Sequence, residues 1–251
     1  MCESTTPAVQ CTKYDEFMDK CRGICDIVWA PLRPDVRVGY NATAALEFFR
    51  TVEGMDYGFR TLLWGWIDDA IANMPCLPPD FASNCATWSY FEASIAELDR
   101  HTDLGRMIWN PGLAKRLGVD DTLRTAELYQ IAWEQGISTL DLIRMPEQDS
   151  WLYNTTRYGQ PNEGKDMVCD VFVCNMWKAG GLFGNMESDI NCGEMTNWDV
   201  YVLDFLDSSY VQIMGNYSLK LQFDYNSKSP YPHMAEDCSA APPDYEKDPH
   251  C

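Results

Sequence analysis

Eleven cysteines in 251 residues constrain this chain more than any other feature. They stand at positions 2, 11, 21, 25, 76, 85, 169, 174, 192, 238 and 251. A cytosolic protein of this length usually holds few thiols and keeps them reduced, so the count points to an oxidising compartment and a framework of disulfides. Zinc would be the competing explanation. Cys21-x3-Cys25 is the close pair outside the segment around Cys169, and no Cys or His pair at ligand spacing accompanies it. The count is also odd: ten cysteines can form five bridges, which leaves one thiol to be located.

A chain of this length, 46% apolar and 13% aromatic, buries a proper core. The balance of 38 acidic against 19 basic residues gives a net charge of −19, which excludes the basic footprint a nucleic-acid binder needs. The same sign disfavours anionic membrane surfaces. No run approaches the ~20 apolar residues of a membrane-spanning helix. The N-terminal residues MCESTTPAVQCTKYDEF lack a basic stretch followed by an apolar one, so no signal peptide is present in this sequence. With the cysteines, this leads to the expectation of a secreted or lumenal protein whose leader has been removed. Asn-x-Ser/Thr triplets at Asn41, Asn154 and Asn216 are compatible with that compartment and with a glycoprotein.

The pattern along the chain predicts an α+β fold, helix-rich in the middle. A short strand is expected at 27–32. Residues 41–53 read as a helix with Ala45, Leu46, Phe49 and Val52 at helical spacing and Gly54 at its C-terminal cap. Residues 57–74 are apolar and helix-compatible up to Pro75. Amphipathic helices are expected at 88–100 and 121–135, with a shorter one at 138–144. The stretch from Met145 to Gly164 reads as a loop rich in turn formers. A helix is expected over 168–179, another near 197–207 from the Thr196/Asp199 capping pattern, and one or two strands within 209–224. The division expected is one domain over 1–225 and a Cys/Pro-rich tail over 226–251.

The strongest signal lies in GKDMVCDVFVCNMWKAGGLF. It places Cys169 in the first turn of a helix, among backbone N–H groups without intrahelical partners, where the helix dipole favours a thiolate. The thiolate is the nucleophile of covalent acyl transfer, so Cys169 is the candidate catalytic residue. Phe172, Val173 and Met176 fall on the face that would pack this helix against a core. The bland alternative makes Cys169 half of a disulfide, with Cys174 or Cys192 nearby. Direct pairing with Cys174 is disfavoured, because residues five apart on a helix point about 140° from each other.

Residues 167–183, MVCDVFVCNMWKAGGLF, resemble the cysteine helix of the circularly permuted papain-like hydrolases, the permuted branch of the NlpC/P60 superfamily. Cys169-Asp170-Val171-Phe172-Val173 matches that family's Cys-Ser-x-Phe/Leu-Val core, and Lys178-Ala179-Gly180-Gly181 matches its helix end. The upstream ALEFFRTVEGMDYGF, residues 45–59, resembles the family's helix and Gly-x-x-Tyr-Gly turn. RYGQP and NCGEMTNWDVY resemble large eukaryotic proteins of the same type. The resemblance covers about 27–205. It implies a papain-like fold and a cysteine hydrolase or acyltransferase acting on an amide or ester through Cys169. It also implies a histidine base on an early strand. This chain has His101, His233 and His250, so the resemblance sets that strand ahead of Met1. Asp170 stands where the family often has Ser.

Other candidates have plainer readings. His233 is a possible base, though a tail histidine held by local turns is the simpler account. His101 reads as a solvated helix end. Glu147 and Asp149 are candidates to orient a histidine, and more simply are loop acids. Asp68-Asp69 and Asp120-Asp121 lack the spacing of a calcium loop, and the second pair reads as a helix start. Trp64 and Trp66 belong to an aromatic run that is more often core than ligand groove. No metal or cofactor is called for. The expected partner is a small amide or ester substrate or another protein, with a second chain as a possible source of the histidine. The alternative is a non-catalytic extracellular binding or structural component that keeps the fold and has lost the chemistry.

Overall fold

A computed structural model describes residues 1–21, 28–60, 88–143, 145–195, 205–207 and 212–213. It is an α+β chain of helices and small antiparallel sheets. A hairpin comes first: β1 (Cys2–Ser4) pairs with β2 (Val9–Cys11), and Cys2 is bridged to Cys11 across it. Helix α1 (Tyr14–Cys21) follows, and its Cys21 is also disulfide-bonded. Strand β3 (Val28–Trp29) pairs with the late strand β6 (Gln212–Ile213), and Leu32 bridges Leu206 beside it. After the single turn α2 (Pro34–Arg37) comes α3 (Ala42–Val52). Asn41 caps α3 by accepting from the Ala44 N–H at 3.1 Å, and Gly54, at φ 78°, turns the chain away after its end.

The helical layer consists of α4 (Trp88–His101), α5 (Leu104–Ile108), α6 (Asn110–Leu117), α7 (Thr125–Glu134) and α8 (Thr139–Ile143). Its core is Ile95, Trp109, Leu113, Leu117, Leu128, Leu142 and Ile143. A buried polar hub locks three of these helices. Asp99 accepts from Asn110 Nδ2 at 3.0 Å, from the Thr125 N–H at 2.7 Å and from Thr125 Oγ1 at 2.9 Å. Trp109 Nε1 donates to the same Thr125 oxygen at 2.8 Å. Burial opposes the charge on Asp99, and the bonds from Thr125, Asn110 and Arg124 outweigh it, so its pKa lies below the ordinary carboxylate value.

The hairpin β4 (Tyr153–Arg157) and β5 (Gln160–Gly164) follows, and then α9 (Cys169–Ala179). Phe172 and Val171 of α9 pack with Phe49 and Val52 of α3, and with Val9, Met55 and Met167. The Phe49 and Phe172 rings meet edge to face, 6.5 Å apart. The other side of α9 closes on Phe183, Cys192 and Phe205, with Cys174 bridged to Cys192.

Several expectations are corrected. Residues 145–164 are not simply loop: they contain the β4–β5 hairpin. Tyr158 (φ 51°) and Gly159 (φ 73°) both take the left-handed region, which is the turn a two-residue hairpin needs. The helix expected from 121 starts at Thr125, because the Asp120 carboxylate caps a turn at the Thr122 N–H instead. Helices α5 and α6 form in a stretch for which no element was expected. Residues 57–60 are not helical, and 61–74 lie outside the described residues. Of the helix expected near 197–207, residues 205–207 are non-helical and 197–204 lie outside the described residues. The strand expectation over 209–224 is met at Gln212–Ile213, and the tail lies outside the described residues.

Candidate functional site

Three pieces of chain converge on residues 54–58 and so fix what stands beside Cys169. Val9 donates its N–H to Met55 O at 2.8 Å, and Tyr57 donates to Pro7 O at 3.0 Å. On the other edge Asp56 donates to Thr156 O at 2.9 Å. Gly58 then donates to Met167 O at 3.0 Å, two residues ahead of the cysteine, and Ser4 Oγ reaches the same carbonyl at 2.6 Å. Gly58 is required by this approach, since a methyl group there would run into the backbone of Met167 and Asp166.

The result is a defined pair. Tyr57 Oη donates to Cys169 Sγ at 3.7 Å. Burial first, and the contact with Cys169 second, push the Tyr57 phenol above its ordinary pKa. It therefore stays protonated at neutral pH and acts as a donor to sulfur, not as a base. Cys169 is partly exposed and is a free thiol, whereas Cys2, Cys11, Cys21, Cys174 and Cys192 are all disulfide-bonded. Pairing of Cys169 with Cys174 or Cys192 is thereby excluded in this structure, since those two bridge each other.

Cys169 is the first helical residue of α9, after the extended Val168. The bond from Phe172 N–H to Val168 O, at 2.9 Å, closes the first turn, so the N–H groups of Cys169 and Asp170 stand ahead of it. Asp170 turns a carboxylate oxygen onto the Val171 N–H at 2.9 Å. Nearby, Arg60 is held by two acids, Asp166 and Asp56, each at 3.1 Å. Lys165 does not stand as a free charge: its ammonium donates to Asn175 Oδ1 at 2.9 Å, and burial lowers its pKa.

The remaining candidates lie elsewhere. His101 is exposed on α4 and bonds Glu97 at 2.7 Å. Glu147 is buried between Arg116 Nη1 at 3.2 Å and the Tyr153 hydroxyl. Burial pushes its carboxyl up to about 7, against the pull of Arg116 and Tyr153. With Lys165, Asp166 and Asn175 it lines a small cavity of about 20 Å³ behind α9. Asp149 accepts from Lys178 Nζ and from the Cys192 N–H, both at 2.8 Å, and so clamps the 190–192 segment onto α9. Neither acid faces a histidine among the described residues. Trp64, Trp66, Asp68, Asp69 and His233 lie outside the described residues. Among the described residues no group of three or more His, Cys, Asp or Glu side chains is arranged to hold a metal ion, and no helix is long and apolar enough to cross a membrane.

The sequence singles out Cys169 but does not pair Tyr57 with it. The signal was present in the Gly54-x-x-Tyr57-Gly58 turn, where a tyrosine beside an obligatory glycine marks a close backbone approach. No family model, no characterised protein and no solved structure matches this chain.

Proposed function

We propose that this chain is an extracytoplasmic, papain-like protein whose Cys169 forms a thioester with an amide or ester substrate, as a hydrolase or acyltransferase. The observation that carries the reading is a single free thiol among six described cysteines, set at a helix start with a phenol donating to its sulfur. In this reaction Sγ attacks the substrate carbonyl carbon. The leaving group departs with a proton, and water or an acceptor nucleophile then releases the acyl group from sulfur. The developing oxyanion falls at the start of α9, where the helix dipole favours negative charge. Tyr57 stabilises negative charge on sulfur before attack. A base is still required. His233 is this chain's own candidate, and a partner chain is the other.

A second reading has its own support. Among the described residues no histidine stands at Cys169, and the Arg60 guanidinium is neutralised by two carboxylates. That arrangement suits a binding or structural component that retains the fold without turnover.

The experiment is acyl trapping. The native protein is incubated with an activated ester such as p-nitrophenyl acetate, digested, and analysed by mass spectrometry. The enzyme reading expects acetyl on Cys169, multiple turnovers of nitrophenolate, and loss of both in Cys169→Ala. Acylation without turnover selects the binding component. If the Cys169 peptide stays unmodified while other nucleophiles react, acyl chemistry at this site is refuted.

A further inference from the structure

The described residues hold two Asn-x-Thr triplets, Asn41-Ala42-Thr43 and Asn154-Thr155-Thr156, in different surroundings. All three residues of the first are exposed. Asn41 is the N-cap of α3, and its side chain uses Oδ1 for that purpose, accepting from Ala44 N–H at 3.1 Å. Its backbone N–H donates to Gly180 O at 2.9 Å, which ties the start of α3 to the end of α9. The amide nitrogen Nδ2 takes no part in the cap.

At Asn154 the same nitrogen is engaged, donating to Asp121 Oδ2 at 2.9 Å. Its neighbour Thr155 is buried within the β4–β5 hairpin. A sugar on Asn154 would compete with the contact that joins this strand to the 120–122 turn.

We propose that Asn41 is an N-glycosylation site of this chain, modified without loss of the α3 cap because sugar and cap use different atoms of one amide. The co-reactant is an oligosaccharide linked to a polyprenyl pyrophosphate. A bond forms between Nδ2 and C1 of the reducing-end sugar, the C1–O bond breaks, the pyrophosphate departs, and Nδ2 loses one proton. Position gives the glycan its consequence. Asn41 adjoins Gly180 at one end of α9 and Cys169 occupies the other, a separation of about 16 Å for 11 helical residues. The glycan covers the far end of the helix and leaves the thiol open. The proposal rests on the extracytoplasmic reading.

The chain is expressed behind a secretory leader in a eukaryotic cell, treated with peptide N-glycosidase in H2-18O, and digested. The expected result is conversion of Asn41 to aspartate carrying 18O. Thr43→Ala removes this mark and leaves the cap intact; Asn41→Ala removes both, and so melts at a lower temperature than Thr43→Ala. Cys169 alkylates at the same rate in the glycosylated protein and in Thr43→Ala. Secreted, disulfide-bonded protein with unmodified Asn41 overturns the proposal, whatever the state of Asn154. Equal melting temperatures of the two variants overturn the separation of cap from sugar, and slowed alkylation overturns the remote placement. Because the leader imposes the compartment, none of these results depends on where the chain resides in its own cell. That question is read separately from whether Cys174 and Cys192 are bridged in protein from the native source.

Discussion

The pH dependence of folding is expected to run opposite to that of an ordinary carboxylate, and Glu147 is the cause. Folding moves its carboxyl from an ordinary 4.5 up to about 7, because burial between α6 and β4 disfavours the charged form more than Arg116 and Tyr153 favour it. Asp166 adds a like charge from the residues leading into α9, and Lys165 lines the same cavity. The folded state therefore binds a proton that the unfolded state releases. Its stabilising effect is fully present below pH 4.5 and is lost as pH rises through 7. Each pH unit between those values is worth about 1.4 kcal/mol for one group, so the loss is about 3 kcal/mol. Urea unfolding of the disulfide-intact protein at pH 5, 6, 7 and 8 measures it directly. Wild type loses stability across this range. Glu147→Gln, a neutral counterpart of the protonated acid, starts near the wild-type value at pH 5, and its slope is flatter. The difference in slope isolates Glu147 from every other titrating group. Parallel wild-type and Glu147→Gln profiles would refute the reasoning, since they would mean that the carboxylate is ionised throughout.

Three further outcomes follow from the geometry. Removing the Cys174–Cys192 bridge with the double change to alanine opens a loop of 18 residues and is expected to cost about 3 kcal/mol in denaturant unfolding. Asp99→Ala strands the buried Thr125 N–H, Asn110 and Arg124 together, and is expected to cost on the order of 3 kcal/mol or more; Asp99→Asn, which keeps an acceptor, costs less. Gly58→Ala forces the Tyr57 segment off Met167, lowers stability by about 1–3 kcal/mol, and changes the alkylation rate of Cys169 by moving the phenol that contacts it. An unchanged rate would show that Tyr57 does not govern the thiol.

What could be read from the sequence was what depends on neighbours along the chain. The start of α9, Gly54 at the end of α3 and Gly136 after α7 all follow from local rules, and the structure has each of them. The β4–β5 hairpin was hidden because its strands, YNTTR and QPNEG, carry few apolar residues and lack alternation; their pairing is set by the Tyr158-Gly159 turn and by Asp56 docking on Thr156. The burial of two acids was hidden for a related reason. Glu147 and Asp99 look like solvated charges until chains 31 and 25 residues away supply Arg116 and Arg124. The Tyr57–Cys169 contact, spanning 112 residues, is of the same kind, and no local rule pairs the two.

The bridge between Cys174 and Cys192 also bears on how the free thiol survives. Exchange requires a thiolate to approach a disulfide sulfur directly. Cys169 lies five positions before Cys174 on one helix and so faces about 140° away from it. The bridge is fully buried on the side closed by Phe183 and Phe205, while Cys169 opens on the side of Tyr57. The helix works as an insulator: scrambling would require α9 to unwind. A reduced cysteine can thus persist in an oxidising compartment within a few residues of a disulfide, protected by the direction in which each sulfur points.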